Sequence, residues 1–416
     1  MHRRVLVLLA TVVAMVLAGP PAVAGPPPAT PLTGVATVTP AAAGLTTCAR
    51  LANGQVRCWG GGLSGALGNG TRDNHHTPVA VSNAAGTGPL RGTVQVVGAG
   101  GTFCALLQAG QVRCWGEGRN GELGTGNEQD HLRPAVVRNP AGTRPLTDVA
   151  QVTAGWEYFC ARKSAGTVVC WGNNSYRQLG TRTSGDRSLP VAVRYEDGSL
   201  LTGARDVAAG ANHACAVVGE ARRAVCWGYN RTGQLGDGTR TGSIGAVVVR
   251  PNAPLTGVFD LVTGSTHTCA LLTDGRARCW GDNRKGQLGD GTTASVDLPI
   301  PISNEDDTGP LTDVVQLSGG RSSTCALLQS TEVRCWGWGD QGQLGNAADD
   351  DQTLPVPVVV ASGGDPLTDV RQVAIGYAMA CATLVSGEVR CWGGNNLGQL
   401  GDGSTTPSNV PVTVVS

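Results

Sequence analysis

Fourteen cysteines are the residues in this chain with the plainest chemistry to offer, and they fall into seven pairs. The pairs are Cys48/Cys58, Cys104/Cys114, Cys160/Cys170, Cys215/Cys226, Cys269/Cys279, Cys325/Cys335 and Cys381/Cys391, and no cysteine is left over. A metal site would call for close C-x-x-C pairs or histidines in register, and neither occurs. In an oxidising compartment an even set at regular spacing implies disulfides. Free cysteines packed as small apolar side chains are the alternative reading.

Other groups with potential chemistry do not assemble into a recognisable set. His75, His76, His131, His213 and His267 belong to no His-Glu-x-x-His motif, and no Gly-x-Ser-x-Gly elbow accompanies them. Glu305-Asp306-Asp307 and Asp349-Asp350-Asp351 are consecutive and lack the alternating spacing of a calcium loop, so they read as solvated charge. The run Gly-Gln-Leu-Gly-Asp-Gly-Thr, clearest at 233–239 and 286–292, lacks the strand-to-helix context and the lysine of a phosphate cradle. Its glycines suit tight turns with positive φ, and its leucine an inward position. The expectation is a non-enzymatic chain with no cofactor and no metal site; two carboxylates facing each other in a central funnel would reopen the enzymatic option.

The elements that carry these residues follow from periodicity. Each second cysteine is followed directly by Trp-Gly, and successive first cysteines lie 56, 56, 55, 54, 56 and 56 residues apart. Self-similarity at that interval points to a propeller of seven blades. In the first copy, Cys48 and Cys58 are symmetric about Asn53 in an Asn-Gly turn signal, so a hairpin places them opposite one another. Cys215/Cys226 has one more intervening residue and predicts a longer turn or a bulge. Closing each loop of about ten residues contributes roughly 2 to 3 kcal/mol, which predicts a rigid, protease-resistant body.

Side chains alternate across a strand, so Val56 and Cys58 face one way and Arg57 and Trp59 the other. Trp59, Trp115, Trp171, Trp227, Trp280, Trp336 and Trp392 are thereby expected to fill the spaces between blades. Each unit opens on a Pro-Leu-Thr-like phrase and ends on a Pro-x-x-Val strand suited to a blade edge. Were that last strand to join the next unit's blade, the first blade would lack one and residues 410–415 would have to return to complete it. The resulting expectation is all-β: a seven-bladed propeller of four-stranded antiparallel blades, each with one disulfide inside its hairpin.

Residues 1–24 read as a signal peptide: a basic start at Arg3 and Arg4, an apolar core from Val5 to Leu17, and Ala22-Val23-Ala24 before the cut. Residues 25–30 form a proline-rich lead-in, and residues 31–416 the propeller. No later stretch is long and apolar enough to span a membrane. The 31 basic and 31 acidic residues become 29 against 31 once Arg3 and Arg4 are removed, a formal charge of about −2. That balance argues against a nucleic-acid partner. A secreted, monomeric chain is expected.

The elements Gly-x-x-His-x-Cys-Ala, Gly-x-Val-x-Cys-Trp-Gly and Gly-Gln-Leu-Gly-Asp-Gly-Thr resemble the repeat of the regulator of chromosome condensation family, over roughly residues 31–416. The resemblance implies the seven-bladed fold. The family histidine is present as His213 and His267, while Thr46, Thr102, Tyr158, Ser323 and Met379 replace it elsewhere. Paired cysteines resemble secreted bacterial versions. Guanine-nucleotide exchange, the activity of the family's nuclear prototype, would be expected only by analogy, since an exported chain meets neither its GTPase nor chromatin.

Recognition is expected instead from the least repetitive positions, the bends after each first strand. They hold Leu45, Trp156, Glu157, Tyr158, Asn212, His213, Thr266, His267, Arg321 and Tyr377. Variable Trp, Tyr and Arg on a repeated scaffold favour a protein partner, and the Trp/Tyr/Asn mix keeps a carbohydrate or cell-wall ligand as the alternative.

Overall fold

The computed structural model describes residues 30–42 and 44–416. The expected signal peptide lies outside them, as does the lead-in up to residue 29. The described chain forms seven separate four-stranded sheets, each antiparallel and ordered as in the sequence. Blade 1 comprises Val35–Pro40, Thr46–Leu51, Val56–Gly60 and His75–Ala80. Blade 7 ends the series with Val370–Ile375, Met379–Leu384, Val389–Gly393 and Ser408–Thr413. A single 3-10 turn at Leu63–Gly65 is the one helical element among the described residues.

Alternation within the third strands builds the ring. All seven repeated tryptophans are fully buried, and each packs against the neighbouring blade. Trp115, for example, joins a cluster with Cys48, Cys58, Leu67 and Val81 of blade 1. Its indole N–H donates to the Ala66 carbonyl at 3.0 Å. The same bond recurs around the ring, through Trp171 to Glu122 and Trp227 to Gln178, and closes with Trp59 to Gln399 at 2.8 Å.

The expected cysteine pairing is present in every blade. The disulfides are Cys48–Cys58, Cys104–Cys114, Cys160–Cys170, Cys215–Cys226, Cys269–Cys279, Cys325–Cys335 and Cys381–Cys391, each across its own hairpin with Cα atoms 4.0–4.1 Å apart. No free cysteine remains among the described residues, so the alternative of unpaired apolar thiols is set aside. All of these cysteines are fully buried. The extra residue of the Cys215–Cys226 copy enlarges the turn, where Val218 pairs with Arg223, and leaves the hairpin register intact.

Blade composition and closure differ from one sequence expectation. The Pro-x-x-Val strand is the outer strand of its own blade: His75–Ala80 pairs with Val56–Gly60, and Ser408–Thr413 with Val389–Gly393. Among the described residues no strand crosses from the last unit to the first. The opening Leu of each unit instead bonds back to the end of the preceding unit, as Leu90 N does to Val81 O at 2.8 Å. Leu32 N makes the same bond to Val414 O at 2.9 Å, and Pro31 bridges Val415. Closure thus repeats an internal contact without the covalent link.

A belt of side chains near the axis ties the first strands together. Gln95, Gln316 and Gln372 each bracket the next blade's peptide at Val152, Val373 and Val38 through both amide atoms, at 2.9–3.1 Å. Blades 4 and 5 carry Asp206 and Asp260 there, and the two carboxylates converge on one donor, Leu261 N, at 3.1 and 3.0 Å. Burial, then the Asp206 charge, holds Asp260 well above the ordinary aspartate range. This is the facing pair whose presence would reopen catalysis. It sits within the belt, where Gln151 Nε2 donates to Asp206 and Leu261 N bridges the two carboxylates, so its geometry is that of a blade-to-blade contact.

Candidate functional site

Strand direction decides which side chains share a face. The bends after the first strands and the long loops after the third strands emerge at one end of the ring, and the short hairpin turns at the other. Each long loop is fixed from below. Its leucine, from Leu67 to Leu400, is fully buried. Asn230, Asn283 and Asn395 hold the loop from inside; Asn230 Oδ1 accepts from Leu235 N at 2.9 Å while its Nδ2 donates to the Thr241 carbonyl at 3.0 Å. The variable residues between these anchors therefore stand on a rigid base.

Of the eight residues expected at the binding face, five stand accessible at the end of the ring where the bends and long loops emerge. Trp156 is 46% exposed at its centre and borders the axial channel, which is narrowed to about 20 Å³ by glycines and alanines of the bends. Glu157 and Asn212 are half-buried beside it. Arg321 and Tyr377 meet across blades 6 and 7: the guanidinium carbon lies 4.6 Å from the Tyr377 ring centroid, and Nη1 donates to its hydroxyl.

The other three are corrections, because they are fully buried and serve the blade junctions. The Tyr158 hydroxyl donates to the His213 carbonyl at 2.6 Å. His213 Nε2 lies 2.8 Å from Thr268 Oγ1, and His267 Nε2 lies 3.0 Å from Thr324 Oγ1. Burial lowers His213 to about 3, with His267 adding to it, and lowers His267 to about 4, so both are neutral at ordinary pH. These residues begin the second strand, one position beyond the bend, and the pleat turns them inward. The cystines likewise contribute nothing to the face. Both members of each, Cys104 and Cys114 or Cys381 and Cys391 for instance, lie in the clusters between blades.

Several face residues come from the long loops and are absent from the sequence-based set. Trp338 packs edge-on against Tyr377 with centroids 6.2 Å apart, and Arg321 also lies over it at 5.3 Å. Tyr176 and Tyr229 form a second edge-on pair at 5.0 Å. Leu63, at 71% exposure, and Leu397 flank blade 1. The signal was present in the sequence: the position after each Trp-Gly reads Gly61, Glu117, Asn173, Tyr229, Asp282, Trp338 and Gly394, as variable as the bends.

The face has two sectors of different charge. Between blades 5 and 6, a cavity of about 420 Å³ is lined by Arg321, Trp338, Lys285 and Asp340. Over blades 1 to 3, a groove of about 270 Å³ is walled by Leu45, Leu63, Leu397 and Trp156, with Glu117, Glu122 and Glu157 lining it. Glu122 is only 1% exposed. Burial, reinforced by the Glu117 and Glu157 charges, pushes it up to about 7. Burial and Glu117 likewise raise Glu157.

Comparison with known proteins bears on the whole ring. The RCC1-like domain model matches residues 17–376, and the regulator of chromosome condensation (RCC1) repeat model residues 370–399. The ultraviolet-B receptor UVR8 of Arabidopsis thaliana is 30% identical over 374 residues, covering 89% of this chain and 80% of the receptor. The E3 ubiquitin-protein ligase HERC2 of Homo sapiens is 27% identical over 372 residues, 89% of this chain but 6% of the ligase. Among solved structures, human WBSCR16 superposes with a TM-score of 0.70 at 22% identity, covering 87% of this chain and 94% of that one. Yeast RCC1 (Prp20), solved bound to Kap60, gives 0.69 at 20% identity, covering 87% and 84%. At those identities the structural likeness establishes the fold alone.

Proposed function

The chain belongs to the RCC1-like propeller family, and on that premise we propose that it is a secreted, non-enzymatic scaffold that binds a protein partner through the face formed by its bends and long loops. Secretion is supported by the leader pattern of residues 1–24 and by seven disulfides in one chain. The observation that carries the binding assignment is the Arg321–Trp338–Tyr377 cluster together with Trp156. Stacked Arg, Trp and Tyr held by a rigid ring, with Arg321 and Trp156 exposed and Trp338 and Tyr377 half-buried, are the side chains that dominate protein–protein energetics. Yeast RCC1 (Prp20), which shares this fold, is bound to Kap60 in its solved structure, which supports partner binding as a use of the fold.

The opposite end carries Val94, Phe259 and Val315, exposed where the first strands begin, and supplies the control. Affinity capture from the culture exterior is expected to lose its partner with the Trp156→Ala/Tyr377→Ala double variant and to retain it with Phe259→Ala. The reverse pattern would place the interface at the opposite end, and retention by both variants would sink the reading.

A further inference from the structure

The acidic groove over blades 1 to 3 has a feature that the repeat itself does not require. Five other blades hold glutamine at the position of Glu122: Gln178, Gln234, Gln287, Gln343 and Gln399. There the amide oxygen accepts from the backbone N–H two residues earlier, as Gln234 does from Thr232 and Gln287 from Lys285. Glu122 does the same, its Oε2 accepting from Asn120 N at 2.7 Å. Backbone N–H groups are its only donors among the described residues, and the residue is 1% exposed while lining the groove. The turn needs only the amide, and a buried carboxylate is costly without a counter-charge. The neighbours do not supply one in full: Glu157 accepts from the Asn173 amide at 3.3 Å, and Glu117 pairs with the exposed Arg119 at 3.3 Å.

Apolar walls and unbalanced carboxylates in one groove are complementary to a cation carried on an aliphatic stem. Among the described residues no three acidic, histidine or cysteine side chains converge closely enough to ligate a metal, which favours an organic cation. We propose that this groove is the socket for a lysine or arginine side chain of the partner, its stem against Leu45, Leu63 and Trp156 and its charge facing Glu122 and Glu157. This deepens the face assignment above and rests on it for the identity of the occupant as a protein.

The test uses n-hexylammonium as a probe, with hexan-1-ol and hexanoate as neutral and anionic controls, in calorimetric titration of the intact protein. Wild type is expected to bind the ammonium saturably and neither control. Glu122→Gln, which installs the residue of the other blades and so keeps the turn, should weaken the probe about tenfold, and Glu122→Gln/Glu157→Gln further. Equal binding of hexan-1-ol, undiminished binding in Glu122→Gln, or competition by calcium chloride would overturn the assignment. If the probe fails while the Trp156/Tyr377 double variant still loses its partner, the socket is wrong and the face stands. If the probe succeeds while that variant keeps its partner, the groove binds cations but the face assignment falls.

Discussion

At the scale of single residues, the same repeat position carries different work in different blades. Glu122 illustrates the cost of departing from the repeat. Its folded-state value of about 7 lies above the ordinary 4.5, so folding favours the protonated form. The stability this gives is fully present below about pH 4.5 and is lost as pH rises through 7. Glu122→Gln should therefore melt like wild type at pH 4 and be more stable at pH 8, on the order of 2 kcal/mol; identical melting curves at both pH values would show that Glu122 is not penalised by burial. His213 and His267 titrate in the opposite sense, since burial depresses them and acid must charge them. From the sequence, Trp156, Arg321 and Tyr377 were legible as face residues because they break the repeat. Tyr158, His213 and His267 break it too, but variation alone does not distinguish a residue facing a partner from one facing the next blade.

At the scale of elements, the third strand and the loop after it act as one joint. Gly236 has φ of +69°, and a Cβ there would lie 2.6 Å from Trp280 Nε1. That atom donates to Gln234 O at 2.9 Å. Glycine is thus needed for both its backbone conformation and the approach of the neighbouring indole. Gly236→Ala should cost roughly 2 to 4 kcal/mol, from left-handed backbone strain plus displacement of the ring. Chemical denaturation with tryptophan fluorescence would measure it, and a loss under half of the lower figure would mean that the ring moves aside freely. The sequence motif disclosed the turn and the inward leucine. It did not disclose the indole above the glycine, because that indole, Trp280, arrives from the next repeat.

At the scale of the molecule, the ring is closed by non-covalent copies of its own internal contacts. Val414 is fully buried, Leu32 N bonds its carbonyl, and Pro31 bridges Val415. Removing residues 414–416 deletes that joint while leaving the paired strand Ser408–Thr413, and should lower stability by about 2 to 3 kcal/mol. An unchanged thermal melt would show that the Trp59–Gln399 contact and the belt around the axis suffice to hold blades 1 and 7 together.

What the sequence alone determined is everything that repeats: seven hairpins with opposed cysteines, tryptophans on the other face of the same strand, and hence blades that pack face to face. Periodicity and strand alternation are local properties, and seven copies make them unmistakable. Tertiary structure alone decided the rest. It kept each outer strand in its own blade, drew Asp206 and Asp260 together within the belt, buried two histidines and a tyrosine at the junctions, and brought the long loops beside the bends. Each of these depends on which neighbouring blade a side chain meets, and distance along the chain does not encode that contact.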